Sequence, residues 1–257
     1  MTQLAATRVL ITGASGGLGL AMARALAGAG AAVAVTSRYP DRAHRAAATL
    51  GDGAIAVALD VRDEASVRSC VAETRERLGG LDLLVNNAGI GMRTVNPRFL
   101  AQPQPFWEVT PEGFHDVLHT KAAGCFLVAR AVAPLMLAEG AGRIVNISMN
   151  EQTMVRRGFV PYGPAGAAVE ALSRVMAADL AGTPVTVNML LPGGATDTGM
   201  IPPDTPAEAR ERLLDPAVMG APIVWLASEE ATGVHDERII ATEFEQWLSA
   251  RGAQSPR

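Results

Sequence analysis

The sequence predicts an α/β fold: a doubly wound, mostly parallel sheet of seven strands with helices on both faces. Three observations carry that expectation. Seven short apolar runs recur along the chain, at residues 8–12, 32–36, 55–59, 81–86, 143–148, 185–191 and 238–241. The segments between them show helical patterning and are long enough for the crossover helices that parallel strands require. The first run empties into a cluster of glycines and then into an alanine-rich helical pattern, which is how a strand, a tight turn and a helix N-terminus read in sequence.

That first turn lies in Val9-Leu-Ile-Thr-Gly-Ala-Ser-Gly-Gly-Leu-Gly19. Gly13, Gly17 and Gly19 let the backbone turn tightly and approach a pyrophosphate, while the following helix aims unpaired N–H groups and a partial positive charge at it. Ser15 and Leu18 belong to the same cradle. A dinucleotide is the expected ligand. In such sheets ligands bind beyond the carboxyl ends of the strands.

The second strand ends in Ser37-Arg38-Tyr39. An acidic residue there would hydrogen-bond a free ribose 2′-hydroxyl and repel a 2′-phosphate, whereas a serine followed by arginine does the reverse. NADP(H) is therefore expected over NAD(H), against the plainer reading of Arg38 as a solvated side chain. Asp60-Val61 closes the third strand, where a short carboxylate can accept from an adenine amino group or simply make a turn. The fourth strand closes in Asn86-Asn87-Ala88-Gly89.

With that strand end in hand, the chain resembles the short-chain dehydrogenase/reductase family. The resemblance rests on Thr12-Gly13-x3-Gly17-x-Gly19 followed by Asn86-Asn87-Ala88-Gly89. It continues through Gly142-Arg-Ile-Val-Asn-Ile-Ser148, Pro161-Tyr162-Gly-Pro164 and Val187-Asn-Met-Leu-Leu-Pro-Gly193, and so covers essentially the whole chain. It implies a Rossmann-type sheet that binds NAD(P)(H), with hydride transfer between the nicotinamide and a carbonyl or alcohol carbon. It further implies that Asn87, Ala88 and Gly89 pass the adenosine ribose, and that Pro192 and Gly193, with Thr196 or Thr198, hold the nicotinamide side.

The family's catalytic group is an asparagine, a serine, a tyrosine and a lysine, and of these only the tyrosine stands in its place here, as Tyr162. As a phenol, Tyr162 can protonate an alkoxide formed by hydride transfer; it also counts among the cofactor-binding residues. Four residues on, Gly166 replaces the lysine. Thirteen residues before it, Met149 replaces the serine, and a thioether donates no hydrogen bond. Asn150 or Ser148, on either side, is the expected substitute, Asn150 first because it carries an amide donor.

The asparagine position falls on Lys121. Phe114, Val117, Leu118, Cys125, Ala129 and Val132 recur at helical spacing after the fourth strand, and Lys121 sits on that stripe. It is the only lysine in a chain with twenty-two Lys and Arg residues in total. Where arginine serves nearly everywhere else, a lone lysine on an apolar face points to use of its compact, tunable ammonium; a snorkelling lysine is the alternative. We expect Lys121 to take over the electrostatic role of the missing lysine, with Gly166 leaving room for it. Arg156 and Arg157 lie in the segment leading to Tyr162, but a guanidinium does not readily shuttle protons.

The chain has 257 residues, enough for one domain over 1–257, with 49% hydrophobic residues and a net charge of −4. That balance gives no broad attraction to nucleic acid or anionic membranes, and neither is an expected partner. No run of roughly 18 consecutive apolar residues occurs and the N-terminus lacks a secretory layout, so a cytoplasmic protein is expected. Cys70 and Cys125 lack metal-ligand spacing and read as reduced core thiols; no metal site is expected. The proline-containing stretches 96–111 and 192–216 read as long functional loops. Within the second, 194–216 is expected to form a substrate flap whose inner side carries Met200, Ile201, Leu213 and Leu214. His235-Asp236 stands where the family commonly has a small pair such as Thr-Gly. The helices following the fourth strand and carrying Tyr162 have alanine-rich, apolar faces, so a homodimer or homotetramer is expected.

Two function classes stay open on the sequence. One is an NADP(H)-dependent oxidoreductase acting on a C=O/CH–OH pair of a small, largely apolar substrate, with C=N reduction as a variant. The other is a family member without turnover that binds NADP(H) as a sensor or structural subunit.

Overall fold

The structure, a computed structural model, describes residues 3–254. The strands are β1 Arg8–Ile11, β2 Ala32–Ser37, β3 Ala54–Ala58, β4 Leu83–Asn86, β5 Gly142–Ile147, β6 Val185–Leu191 and β7 Arg238–Ile240. They form one seven-stranded sheet in the order β3-β2-β1-β4-β5-β6-β7, with every pairing parallel. Each expected strand is present, with ends that differ by at most two residues. The fourth starts at Leu83 rather than 81 because Asp82 turns its carboxylate onto Arg8, accepting from the backbone N at 2.7 Å and from Nη2 at 2.6 Å.

The helices are α1 Gly17–Gly28, α2 Pro40–Ala48, α3 Glu64–Leu78, α4 Pro111–Leu118, α5 Gly124–Glu139, α6 Glu151–Met154, α7 Tyr162–Asp179, α8 Ala207–Arg210, α9 Gly220–Ala227 and α10 Phe244–Gln254. Alternation along the strands divides the core in two. Val9, Ile11, Val33, Val35, Leu83 and Val85 pack with Met22 and Leu26 of α1 and Ile223 and Leu226 of α9 on one face. Leu10, Ala34 and Leu84 pack on the other with Val67 and Val71 of α3, Val128 and Val132 of α5 and Ala177 of α7. Both faces of these strands are covered, which is why they read as continuous apolar runs. The order reverses between β1 and β4, and the crevice at that switch point opens at the strands' carboxyl ends.

The segment after β4 departs from the single regular helix that its periodicity predicts. Thr110 caps α4, accepting from Gly113 N at 3.1 Å, and Pro111 sits in its first turn. The helix then widens into a π turn at His119–Ala123 before continuing as α5. The extra residue in that turn puts Thr120 and Lys121 inside together with Val117 and Gly124. The continuous helix Pro111–Glu139 is, by length and composition alone, long and apolar enough to cross a membrane, with a mean hydropathy of 1.5 over its best window. The absence of a long unbroken apolar run therefore does not exclude that length. Its inner side is part of the core on which β4 and β5 lie.

His235-Asp236 receives a structural account. His235 Nδ1 accepts from Val187 N at 3.2 Å and its Nε2 lies 2.9 Å from the Ala177 carbonyl, so one imidazole ties β6 to α7. Asp236 takes φ +60, a conformation that Asp tolerates better than most side chains, and its carboxylate pairs with Arg174 at 2.7 Å. Cys70 and Cys125 are buried and free, and burial pushes both thiols up to about 12.

Candidate active site

A cleft of about 520 Å³ runs across the carboxyl ends of the strands, and most of the residues singled out in the sequence line it. At its centre is the turn between β1 and α1. Gly13 has φ +65, and a Cβ there would stand 2.9 Å from Ala88 Cα, so the position requires glycine on both counts. Gly16, the N-cap of α1, offers no side-chain cap, so the first N–H groups of α1 are left for a ligand. Ser15, Gly17 and Leu18 line the cleft beside them. Gly19 does not. A Cβ there would meet Asn87 Nδ2 at 2.5 Å and Gly13 O at 2.8 Å, so its part is to let α1 approach the β4 end closely. Asn87 braces the turn by donating from Nδ2 to Thr12 O (2.9 Å) and Gly13 O (3.1 Å), and Ala88 and Gly89 continue the wall.

One end of the cleft is cationic. Ser37, Arg38, Tyr39, Arg42 and Arg62 line it. Arg38 and Arg42 lie over the Tyr39 ring at 5.0 and 4.7 Å from its centre. Sequence reasoning found Ser37 and Arg38 but missed Arg42, one helical turn further on, and Arg62. Asp60 is in place beside Val61, but Arg62 grips its carboxylate with Nε at 2.9 Å and Nη2 at 2.7 Å and holds it below the usual carboxylate range.

The other end holds Tyr162, at the start of α7, with Lys121 across from it. Lys121 Nζ lies 5.5 Å from the centre of the Tyr162 ring, and the residue is 8% exposed. Among the described residues its amine has no hydrogen bond or ion pair, and burial pushes it down to about 8. Burial moves the Tyr162 phenol the other way, upward, so the hydroxyl stays protonated through neutral pH. That hydroxyl lies 3.7 Å from the Met200 sulfur. The space at Gly166 belongs to a different residue from the one its size predicts. A Cβ there would be 2.6 Å from Met149 Cε and 2.8 Å from its sulfur, so Gly166 makes room for the Met149 thioether rather than for Lys121.

Ser148 and Asn150, flanking Met149, differ in what they have left to give. Ser148 donates its single hydroxyl proton to Glu170 at 2.5 Å, and Arg238 fixes the same carboxylate oxygen at 2.9 Å while donating to Met149 O at 3.1 Å. Asn150, which lines the cleft, donates from Nδ2 to Gly193 O at 2.8 Å and keeps a second amide N–H beyond that bond. Pro192, Thr196 and Thr198 line the cleft. Gly193 does not: it lies behind the wall, where a Cβ would strike the Thr242 hydroxyl. Of the four apolar residues of 194–216, Met200 and Ile201 face the cleft. Leu213 and Leu214 do not line it; Leu214 instead bridges to Thr196 and lies against Gly194. Met92, Phe99, Leu100 and Phe159 complete the apolar walls.

Comparison with known proteins agrees with this architecture. Residues 7–209 match the family model described as short chain dehydrogenase. L-Fucose dehydrogenase of Oryctolagus cuniculus is 33% identical over 240 residues, covering 88% of this chain and 81% of that protein. The crystal structure of a gluconate 5-dehydrogenase from Burkholderia cenocepacia in complex with NADP and tartrate superposes with a TM-score of 0.82 at 30% identity, over 95% of this chain and 97% of that one. A 3-ketoacyl-(acyl-carrier-protein) reductase from Brucella melitensis, complexed with NADH, gives a TM-score of 0.82 at 29% identity, over 93% and 97%.

Proposed function

This chain belongs to the short chain dehydrogenase family, and is thereby an oxidoreductase that uses a nicotinamide cofactor; from that premise we propose that it is NADP(H)-dependent and transfers hydride to or from a carbonyl, alcohol or imine carbon of a small, largely apolar substrate. One observation carries the reading: the glycine turn with its uncapped helix N-terminus and the enclosed Tyr162–Lys121 pair lie in one cleft. Gly13, Ser15, Gly17 and Leu18 fit a pyrophosphate, since Gly13 has no room for a Cβ against Ala88 and the turn runs into a helix N-terminus with no side-chain cap. Ser37 and Arg38, with Arg42 and Arg62, favour a 2′-phosphate. The solved relatives carry NADP in one case and NADH in another, so the preference rests on this chain's own arginines. Asp60 and Val61 flank the adenine end, Asn87, Ala88 and Gly89 the ribose, and Pro192, Thr196 and Thr198 the nicotinamide side.

When bound, the nicotinamide supplies or accepts the hydride. In the reductive direction Tyr162 donates its phenolic proton to a carbonyl oxygen as it gains negative charge, or to an imine nitrogen to form the iminium that accepts the hydride, and burial keeps that proton in place until then. The free N–H of Asn150 stabilises the developing oxyanion in place of the serine replaced by Met149. Lys121 supplies the positive charge that Gly166 lacks and, with an amine pushed down to about 8, can return a proton to the phenol. An imine substrate relies less on the lost serine, because an iminium carries no oxyanion to stabilise. The rest of the reading is a single cytoplasmic domain with residues 194–216 as the substrate flap, assembled as a homodimer or homotetramer. A protein without turnover gains no support from the relatives, which are themselves named as dehydrogenases and reductases.

The test is NADPH oxidation screened over ketones, aldehydes and cyclic imines. At least one class should drive oxidation that Tyr162→Phe abolishes. Tight NADPH binding with no oxidation across all three classes would contradict the reading.

A further inference from the structure

Resting on the hydride-transfer reading, we propose that the substrate carries a carboxylate and that Arg156 selects it. Beyond Tyr162 the cleft is walled by Met92, Phe99, Leu100, Phe159, Met200 and Ile201. Apart from Lys121, Arg156 is the one charged side chain lining this half among the described residues. The three arginines of the opposite half stand at the end proposed for the 2′-phosphate, where Arg62 also chelates Asp60. Arg156 has no carboxylate within ion-pair distance among the described residues. Asp60, the only acid that lines the cleft among the described residues, is already bound by Arg62.

Arg156 is exposed, and its guanidinium rests on an aromatic face. It lies over the Phe159 ring at 4.9 Å from its centre, and Phe159 meets Phe99 edge-on at 5.5 Å. Tyr162 packs against the same cluster. A contiguous apolar path therefore joins the proton donor to the guanidinium. Stacking on an aromatic face leaves the planar N–H fork of an arginine available for a bidentate carboxylate. A substrate that spans this path places its reducible carbon at Tyr162, an apolar or aromatic body along Phe99 and Phe159, and its anionic end at Arg156. A polyol body would leave hydroxyls unpaired against these walls, so the proposed substrate differs in its body from the sugar and gluconate substrates in the names of the relatives, while sharing the carboxylate of gluconate. A cation would be repelled by both Arg156 and Lys121.

The probes are benzylacetone, a neutral ketone, and its para-carboxylate derivative. Affinity for the NADP⁺-loaded protein is measured by isothermal titration and, separately, kcat/KM by NADPH oxidation. The wild-type protein should prefer the carboxylate by about tenfold, the scale of a partly solvated charge-assisted contact. Arg156→Gln should bring the ratio of the two affinities near one, Arg156→Glu should invert it, and the kinetic ratio should move through KM rather than kcat. A wild-type ratio near one, or a ratio that Arg156→Gln leaves in place, would overturn the proposal. The titration stands apart from turnover: if both probes bind but neither is reduced, the selectivity ratio still decides the role of Arg156, and it is the hydride-transfer reading that loses support.

Discussion

Lys121 Nζ stands 5.5 Å from the centre of the Tyr162 ring, so the one lysine of the chain faces the one tyrosine at the substrate end of the cleft. The two side chains reach each other from different elements, a π turn between α4 and α5 and the first residue of α7. Burial drives their proton affinities in opposite directions, the amine down to about 8 and the phenol up. The pair is poised with the phenol as a held proton and the amine as a group that exchanges one near neutral pH. Residues that leave a helix widened in this way are frequently functional.

The cationic end of the cleft predicts the choice of cofactor. NADPH should bind more tightly than NADH by about 1–3 kcal/mol, as expected for charge-assisted phosphate contacts. Arg38→Ala should remove most of that preference, with Arg42 and Arg62 retaining a remainder. Fluorescence titration of both cofactors checks it, and equal affinities in the wild-type protein would contradict it.

The packing of Met149 over Gly166 predicts an asymmetry. Gly166→Lys alone should be poorly tolerated, because the Met149 thioether occupies the space a side chain needs. Met149→Ser together with Gly166→Lys should be accommodated and should make Lys121 dispensable: adding Lys121→Met to that pair should cost less than tenfold in kcat, against about 10²–10⁴ in the wild-type background. Thermal melts and steady-state kinetics of the four variants decide the matter. If adding Lys121→Met costs as much in both backgrounds, the two lysine positions are not equivalent.

Burial of the Lys121 ammonium has a stability consequence whose sign is fixed. Its folded pKa of about 8 lies below the 10.5 of the free side chain. Below pH 8 the folded protein carries the full cost of the buried charge. Between pH 8 and 10.5 the unfolded chain binds a proton that the folded one does not, so stability rises with pH. Lys121→Met should therefore stabilise the cofactor-free protein at pH 7 by up to about 3 kcal/mol, with the advantage shrinking toward pH 10. Urea denaturation at the two pH values measures it; a variant less stable than wild type at pH 7 would mean that the ammonium has a stabilising partner.

Phe126 and Leu137 of α5 and Val175 of α7 are exposed. Their cover is expected to be a second copy of the chain, giving a dimer or tetramer. A sedimenting species of 26.7 kDa at micromolar concentration would contradict this.

Much of the architecture was legible because its causes are local. Parallel strands covered on both faces must be apolar throughout, and a turn that receives a pyrophosphate must be built from glycine, so Val9 to Gly19 declared strand, turn and helix together. Lys121 could be placed by the helical stripe it shares with Val117 and Cys125. The π turn that lets Thr120 and Lys121 both point inward could not, because one extra residue per turn leaves no mark in a hydrophobic pattern. Gly166 was legible as a space but not as the space for Met149, since its occupant comes from a different element, the end of β5. Gly19 and Gly193 looked like cleft residues and proved to be close-packing ones for the same reason. Arg62 was within reach: an arginine two residues after an aspartate at a strand end can fold back onto that carboxylate. Arg42, four residues after Arg38 on a helix, carried an equally readable spacing.

Tyr162 and Lys121 are proposed to act as one unit, and a double-mutant cycle on NADPH-dependent reduction tests that most directly. Measured across pH, wild-type kcat/KM should fall as pH rises through about 8, where Lys121 loses its proton, and Lys121→Met should lose that limb. Lys121→Met and Tyr162→Phe should each lower kcat by about 10²–10⁴, and the double variant should be little worse than either alone, because both changes disable the same proton path. Near wild-type turnover in Lys121→Met, or a double variant whose loss equals the product of the single losses, would contradict the account.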